Sequence, residues 1–275
     1  KKVLVVSVDP AHSLSDVLEE DVGPEPKKIF NNFYAQEIDV YYSIEKFWGI
    51  LKEYLTLIMK KDILERYKIE NRSLINELIY FVINNYSKYI SYDSLYNLFK
   101  QRIKVTKRSI MNYLSYFEDA LIFFLLKKYE FSIKSRIVSP RKIYIVDTGY
   151  GLFGTKNITR DMENSVFLEL LRKMNEKPMM EIYYLKTREG YEVDFLIKEG
   201  NEITTLIQVT HANSFEEIDH REIRALLYAY DLLKKHKPEL ICITWDYEDE
   251  REVSWFGKKG RIRFIPLWKW LLRDS

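Results

Sequence analysis

The sequence has little of what pins down a secreted or membrane-spanning protein. Its single cysteine, Cys242, excludes an internal disulfide and a thiolate zinc cluster, and points to a reducing, cytoplasmic setting. No apolar run approaches the ~18 residues needed to cross a bilayer, and no signal peptide is visible. Nine glycines and seven prolines form no Gly/Ser-rich linker, and there are no repeats. His12, His211, His220 and His236 show no metal-ligand spacing. The phosphate-cradling pattern G-x-x-x-x-G-K-[ST] does not occur. The initiator methionine is also lacking: the chain opens on Lys1-Lys2 and runs at once into a β-branched stretch, which reads as a segment cut from something longer.

What is present is globular material, 47% hydrophobic and 31% charged over 275 residues, enough for two or three cores. The net charge of +2 hides an asymmetry. From Lys100 to Lys142 there are eleven basic residues against three acids, a window of +8 that leaves −6 for the rest.

Val3 to Val8 has the unbroken β-branched character of a strand buried on both faces of a parallel sheet. A turn at Asp9-Pro10 follows, then a short strand over 34–39 and a helix over 40–55 with Ile44, Phe47, Leu51 and Leu55 facing inward. A change of pattern near 56–61 sets the first boundary. Helices are expected over 73–86, over 95–99 after a cap at Ser91, and from Thr106 with Ile110, Leu114 and Phe117 inward. Two hairpin strands, 121–126 and 131–138, then flank a charged tip at Lys127-Lys128, and a further strand covers 142–146. Three helices and a basic hairpin are the parts of a winged helix-turn-helix. The remainder reads helix 160–174, strands 181–186, 192–197 and 204–210, helix 216–235 and strand 240–244, the order of a restriction-endonuclease-like core. The expected fold class is therefore α/β and α+β multidomain, with segments 1–56, 57–150 and 151–275.

Three constellations carry candidate chemistry. The basic window suits phosphate contacts: Lys104, Lys107, Arg108 and Asn112 lie on or just before the third helix, and Lys127, Lys128, Lys134 and Arg136 on the hairpin. DNA or RNA is the expected partner; a protein-interaction surface is the competing reading. The second constellation is Glu163 on a helix, Asp194 on a strand with Glu192 on the same face, and Gln208 on the next strand with Thr210. Metal-dependent nucleases of this fold hold magnesium between acids so placed and use a lysine two residues on. Here Gln208 is uncharged and Thr210 has no ammonium, so the site is degenerate, with Asp194 and Glu163 as the candidate magnesium ligands. The third is Asp9, at the carboxyl end of the first strand. It could orient water beside a phosphate, or simply form a turn with Pro10 ahead of a helix capped by Ser13.

Residues 1 to about 55, with KKVLVVSVDPAHSLSD and FYAQEIDVYYSIEKFWGILKEYL, resemble the anion-pump ATPases, the family of arsenite-pump and tail-anchored-protein targeting ATPases. The resemblance implies that Asp9 matches an aspartate that helps to activate water. ATP would then be a cofactor only with a P-loop upstream of Lys1. From about Lys61 to Leu272 the chain resembles the C-terminal half of archaeal-type AAA+ ATPases, where a winged helix precedes a PD-(D/E)XK nuclease-like domain of unknown function. The matching stretches are KDILERYKI, SIMNYLSYFEDALIF, RKIYIVDTG, ENSVFLELLR and YEVDFLIKEGNEITTLIQVT. Together these imply a non-catalytic nucleic-acid-binding module joined to an ATPase remnant. An ATPase completed upstream, a magnesium-dependent nuclease and an interaction scaffold stay open as alternatives. The truncated parallel sheet leaves an edge suited to a partner chain or to self-association.

Overall fold

The computed structural model describes residues 2–7, 14–37, 40–69 and 71–272. It divides into two compact units, Lys1–Arg66 and Tyr67–Ser275. The second contains both segments that the sequence analysis separates at residue 150.

The first unit comprises β1 (Val3–Ser7), α1 (Leu14–Leu18), β2 (Lys27–Phe30), β3 (Phe33–Glu37) and α2 (Val40–Ile58), which runs on into a π-helical segment, Met59–Glu65. Its sheet has the order β1-β3-β2, with β1 parallel and β2 antiparallel to β3. The expectation of a fully buried first strand fails: Val3, Leu4 and Val6 are 51, 49 and 44% exposed. β1 lies at the edge of a three-stranded sheet, and burial of a parallel strand requires helices on both faces. On α2, Leu51 is buried as expected, but Phe47 faces solvent. Asp9 and its turn, with His12 and Ser13, lie outside the described residues.

The second unit begins with α3 (Arg72–Asn84), β4 (Tyr89–Ile90), α4 (Tyr92–Phe99), α5 (Lys107–Asp119), β5 (Phe123–Leu126), α6 (Ile133–Val138) and β6 (Arg141–Ile145). Ser91 and Thr106 start α4 and α5 as expected. Each accepts a hydrogen bond from the backbone N–H three residues on, and the serine at that position accepts from the cap's own N–H, so orphan amides are satisfied in both directions. Leu74, Leu78 and Val82 of α3, Leu95 of α4, and Ile110, Leu114 and Phe117 of α5 are buried. The antiparallel sheet β4-β6-β5 lies beside them.

Residues 131–138 are not the expected second hairpin strand. They contain α6, capped by Ser132, and β6 pairs with β5 in its place. The Lys127-Lys128 tip does not project either, because the chain there runs along the next sheet: Tyr184 N–H donates to the Lys127 carbonyl (3.1 Å) and Tyr129 N–H to the Tyr184 carbonyl (2.7 Å).

A 3-10 turn, Thr148–Phe153, leads to α7 (Ile158–Glu176), β7 (Met180–Lys186), β8 (Glu192–Glu199), β9 (Glu202–Val209), α8 (His220–Leu232), β10 (Glu239–Thr244), β11 (Asp249–Trp255), β12 (Lys258–Pro266) and α9 (Leu267–Leu272). The strands form one sheet of order β11-β12-β10-β9-β8-β7. β7, β8 and β9 run antiparallel, whereas β10 is parallel to both β9 and β12. Alternation along the strands supplies two cores. Leu196, Leu206 and Phe264 pack with Leu226 and Leu227 of α8, while Phe195, Ile207 and Ile243 pack with Val166 and Phe167 of α7 and Trp270 of α9. No helix among the described residues is long and apolar enough to cross a membrane.

Candidate functional site

The sheet brings the degenerate acid set together. Asp194 on β8 lies beside Gln208 on β9, and Glu163 approaches from α7; the three are 6, 4 and 9% exposed in that order. Asp194 is held on one side by the Val209 N–H, which donates to Oδ2 (3.0 Å), while Gln208 Oε1 accepts from the Asp194 N–H (3.4 Å). Gln208 Nε2 turns the other way and donates to Glu222 of α8.

The centre of the cluster holds Lys142 of β6, which in sequence is one more cation of the basic window. Its Nζ lies 2.9 Å from Asp194 Oδ1, 3.0 Å from Glu163 Oε1 and 2.8 Å from Glu192 Oε1. The residue is 2% exposed. Tyr144, two residues along on the same face of β6, donates its hydroxyl to Glu163 Oε1 (2.6 Å) and stacks on Phe167 at 4.2 Å. The signal that could have found this pair was an i, i+2 Lys-x-Tyr alternating with Ile143 and Ile145 in a short buried strand.

The electrostatics follow from three carboxylates meeting one ammonium away from water. Burial works to neutralise Lys142, but Asp194 and Glu163 outweigh it and hold its pKa well above the ordinary lysine value. Glu163 is pushed up by burial and by Asp194, against the pull of Lys142. For Glu192, burial opposes ionisation, and Lys142 overcomes it to hold the carboxyl below its usual range. Burial and Asp194 lift Glu222 to about 7.

The set does not fit magnesium as arranged. Magnesium takes oxygen ligands at about 2.0–2.1 Å in near-octahedral geometry, whereas these oxygens converge on a nitrogen at 2.8–3.0 Å. Among the described residues, no group of three or more His, Cys, Asp or Glu side chains is placed to hold a metal ion. A lysine kept protonated is also no general base.

The basic window separates into two populations. Lys104, Lys107, Arg108, Asn112 and Ser115 are all exposed, on α5 or just before it, as the helical spacing predicted; Lys107 also pairs with Asp93. Lys127 and Lys134 are exposed. Lys128 is only half-buried, and pairs with Glu130 at 2.5 Å. Arg136 is engaged internally, donating to the Glu130 carbonyl (2.9 Å) and the Tyr183 hydroxyl (3.2 Å).

Residues 1–98 match the family described as Anion-transporting ATPase, and residues 160–270 match Domain of unknown function (DUF4143). An uncharacterized protein of Methanocaldococcus jannaschii is 38% identical over 229 residues, covering 81% of this chain and 50% of that protein. An uncharacterized protein of Haemophilus influenzae is 27% identical over 229 residues, 82% and 52% of the two chains. The chain thus spans about half the length of these two relatives. A putative arsenical pump-driving ATPase of Chlorobaculum tepidum is 42% identical over 57 residues, 21% of this chain and 14% of its own. The anion-pump resemblance seen in DPAHSLSD is therefore supported. That similarity is about as long as the first structural unit, whereas the family match continues to residue 98, into α4.

Proposed function

We propose that residues 67–275 form a non-catalytic nucleic-acid-binding module, a winged helix-turn-helix on a restriction-endonuclease-like core, carried beside a unit of anion-pump ATPase type. The observation that carries the binding half is the outer face of α5. Ile110, Leu114 and Phe117 are buried on the face turned to α4 and β5, while Lys107, Arg108, Asn112 and Ser115 all face outward. A helix with that division fits the ~12 Å width of a major groove, its cations against phosphates and its amide toward base edges. The footprint is α5 and its lead-in at Lys104, extended by Lys127 and Lys134. It does not draw on Lys128 or Arg136, whose charged groups are engaged within the protein. The non-catalytic half is supported by the acid cluster, whose centre is filled by the Lys142 ammonium, bonded to all three carboxylates.

The test is binding to labelled duplex and branched DNA across a salt series with magnesium present, with the same gel scored for cleavage. Salt-sensitive binding without cleavage is expected. Replacing Lys104 and Arg108 by Ala should flatten the slope of log K against log salt by about 2. No binding at low salt would sink the first half of the reading, and magnesium-dependent cleavage the second.

The match of residues 1–98 to anion-transporting ATPases favours a second reading, in which Asp9 orients water for ATP hydrolysis with a P-loop that this sequence does not contain. ATPase activity of a chain extended upstream, lost in Asp9→Asn, would support it.

A further inference from the structure

α6 carries its polarity the wrong way round for a surface helix. Its half-buried residues are Ser135 and Arg136, with Arg136 bonded to the Glu130 carbonyl and the Tyr183 hydroxyl, whereas Ile133, Ile137 and Val138 are 73, 65 and 76% exposed. One exposed aliphatic side chain is ordinary, but three on a single short helix mark a contact surface. Ile137 and Val138 line a groove of about 330 Å³ together with Ile90, Leu125 and Met111, a volume within the ~300–1,000 Å³ of ligand pockets. Met111 is itself 47% exposed and stands on α5, after Arg108 and directly before Asn112. The groove therefore adjoins the face of α5 on which the binding reading rests.

Charge narrows the occupant. Arg108 of α5 and Lys134 of α6 are exposed, Arg141 lines the groove with its guanidinium 5.8 Å from the centre of the Tyr92 ring, and the acid of the lining, Asp93, is paired with Lys107. A fitting occupant combines negative charge with open apolar faces. Intact duplex does not, because its base faces are stacked inside and the apolar group in its major groove is the thymine methyl. Unpaired nucleotides do, since each brings a phosphate and a free base face. An anionic bilayer has both properties as well, but it is met by a broad apolar helix face, and α6 is six residues long. We infer that the groove between α5 and α6 takes unpaired nucleotides, so that the target of this module is a junction where duplex meets single strand. The inference rests on the duplex-binding reading of α5 and names its substrate class.

The test is fluorescence anisotropy of the whole chain with three labelled DNAs at one salt concentration: a blunt duplex, the same duplex carrying a short unpaired arm, and the arm alone. The forked duplex should bind roughly tenfold tighter than the blunt one. Ile137→Ser combined with Val138→Ser should bring the fork down to the level of the blunt duplex, and leave blunt-duplex affinity and its salt slope as in the wild type. Both side chains are exposed, so the fold does not depend on them. Met111→Ser, on the other wall, should reduce the preference independently. Equal affinity for fork and blunt duplex, or a preference that these variants keep, would overturn the inference and leave the α5 reading standing. Binding of the arm without binding of the duplex would do the reverse, and no binding of any of the three would sink both. Loss of phosphatidylserine-vesicle binding in the same variants, with no fork preference in the wild type, would assign the groove to lipid and overturn the inference.

Discussion

Glu222 ends the polar chain that starts at Lys142 and passes through Asp194 and Gln208. Burial, then Asp194, raises its folded-state pKa from 4.5 to about 7. Between those values the folded protein binds more protons than the unfolded chain, so this carboxyl makes stability fall as pH rises through that window. Glu222→Gln stays neutral and can still accept from Gln208. It should therefore be more stable than wild type above pH 7, by up to roughly 3 kcal/mol. The difference should vanish below about pH 4.5, and denaturant melts at pH 4.5 and 8 would read both ends. Equal effects at the two pH values would show that packing, and not ionisation, governs the residue. Cys242 is shifted the same way: burial holds its thiol far above the ordinary range, and it is fully buried. Thiol reagents should label the unfolded chain and leave the native protein unmodified. At this scale Glu163, Asp194 and Gln208 were legible from strand alternation and spacing. Lys142 was not, because its partners come from elements 21 to 52 residues away and charge counting treats every lysine as surface.

Among the elements, α4 and α5 were readable because Ser91 and Thr106 mark their starts with local hydrogen bonds. The stretch 131–138 was misread because FSIKSRIV begins with strand-like alternation, while Ser132 provides a helix cap and Ile133 and Ile137 have helical spacing. Both isoleucines remain exposed, so no buried stripe announced the helix. β11 escaped notice for a related reason: DEREVSW is an edge strand guarded by charge, and its polarity reads as loop. A different device joins β6 to α7. The fully buried Asn164 donates to the Ile145 carbonyl and accepts from the Ile145 N–H, both at 2.9 Å, pairing with the strand as another strand would. Asn164→Ala leaves two buried backbone groups without these partners, so chemical denaturation should show a loss of about 2–4 kcal/mol. A loss under 1 kcal/mol would mean that water replaces the amide.

Across the whole molecule, the links between the two sequence segments of the second unit explain why it forms one body. Lys142 and Asn164 bind β6 to α7 and β8, Tyr86 donates to Asp161 Oδ1 (2.6 Å), and the chain after β5 pairs with Tyr184 of β7. A change of periodicity near residue 150 suggested a domain boundary, but such links between distant residues leave no periodic trace. The first unit is differently constituted. Among its described residues the buried apolar side chains are Val22, Ala35, Leu51, Met59 and Ile63, while Val3, Leu4, Val6, Phe47, Trp48 and Tyr54 stay exposed. Among these described residues, exposed apolar side chains outnumber buried ones, so their burial contributes little against the conformational entropy of the segments they belong to. Hydrogen exchange should therefore show the amides of 1–66 exchanging well ahead of those in β8, β9 and β10, with 67–275 protected as a single cooperative body. Separate protection levels for 67–150 and 151–275 would mean that the Lys142 and Asn164 links are too weak to couple the two segments.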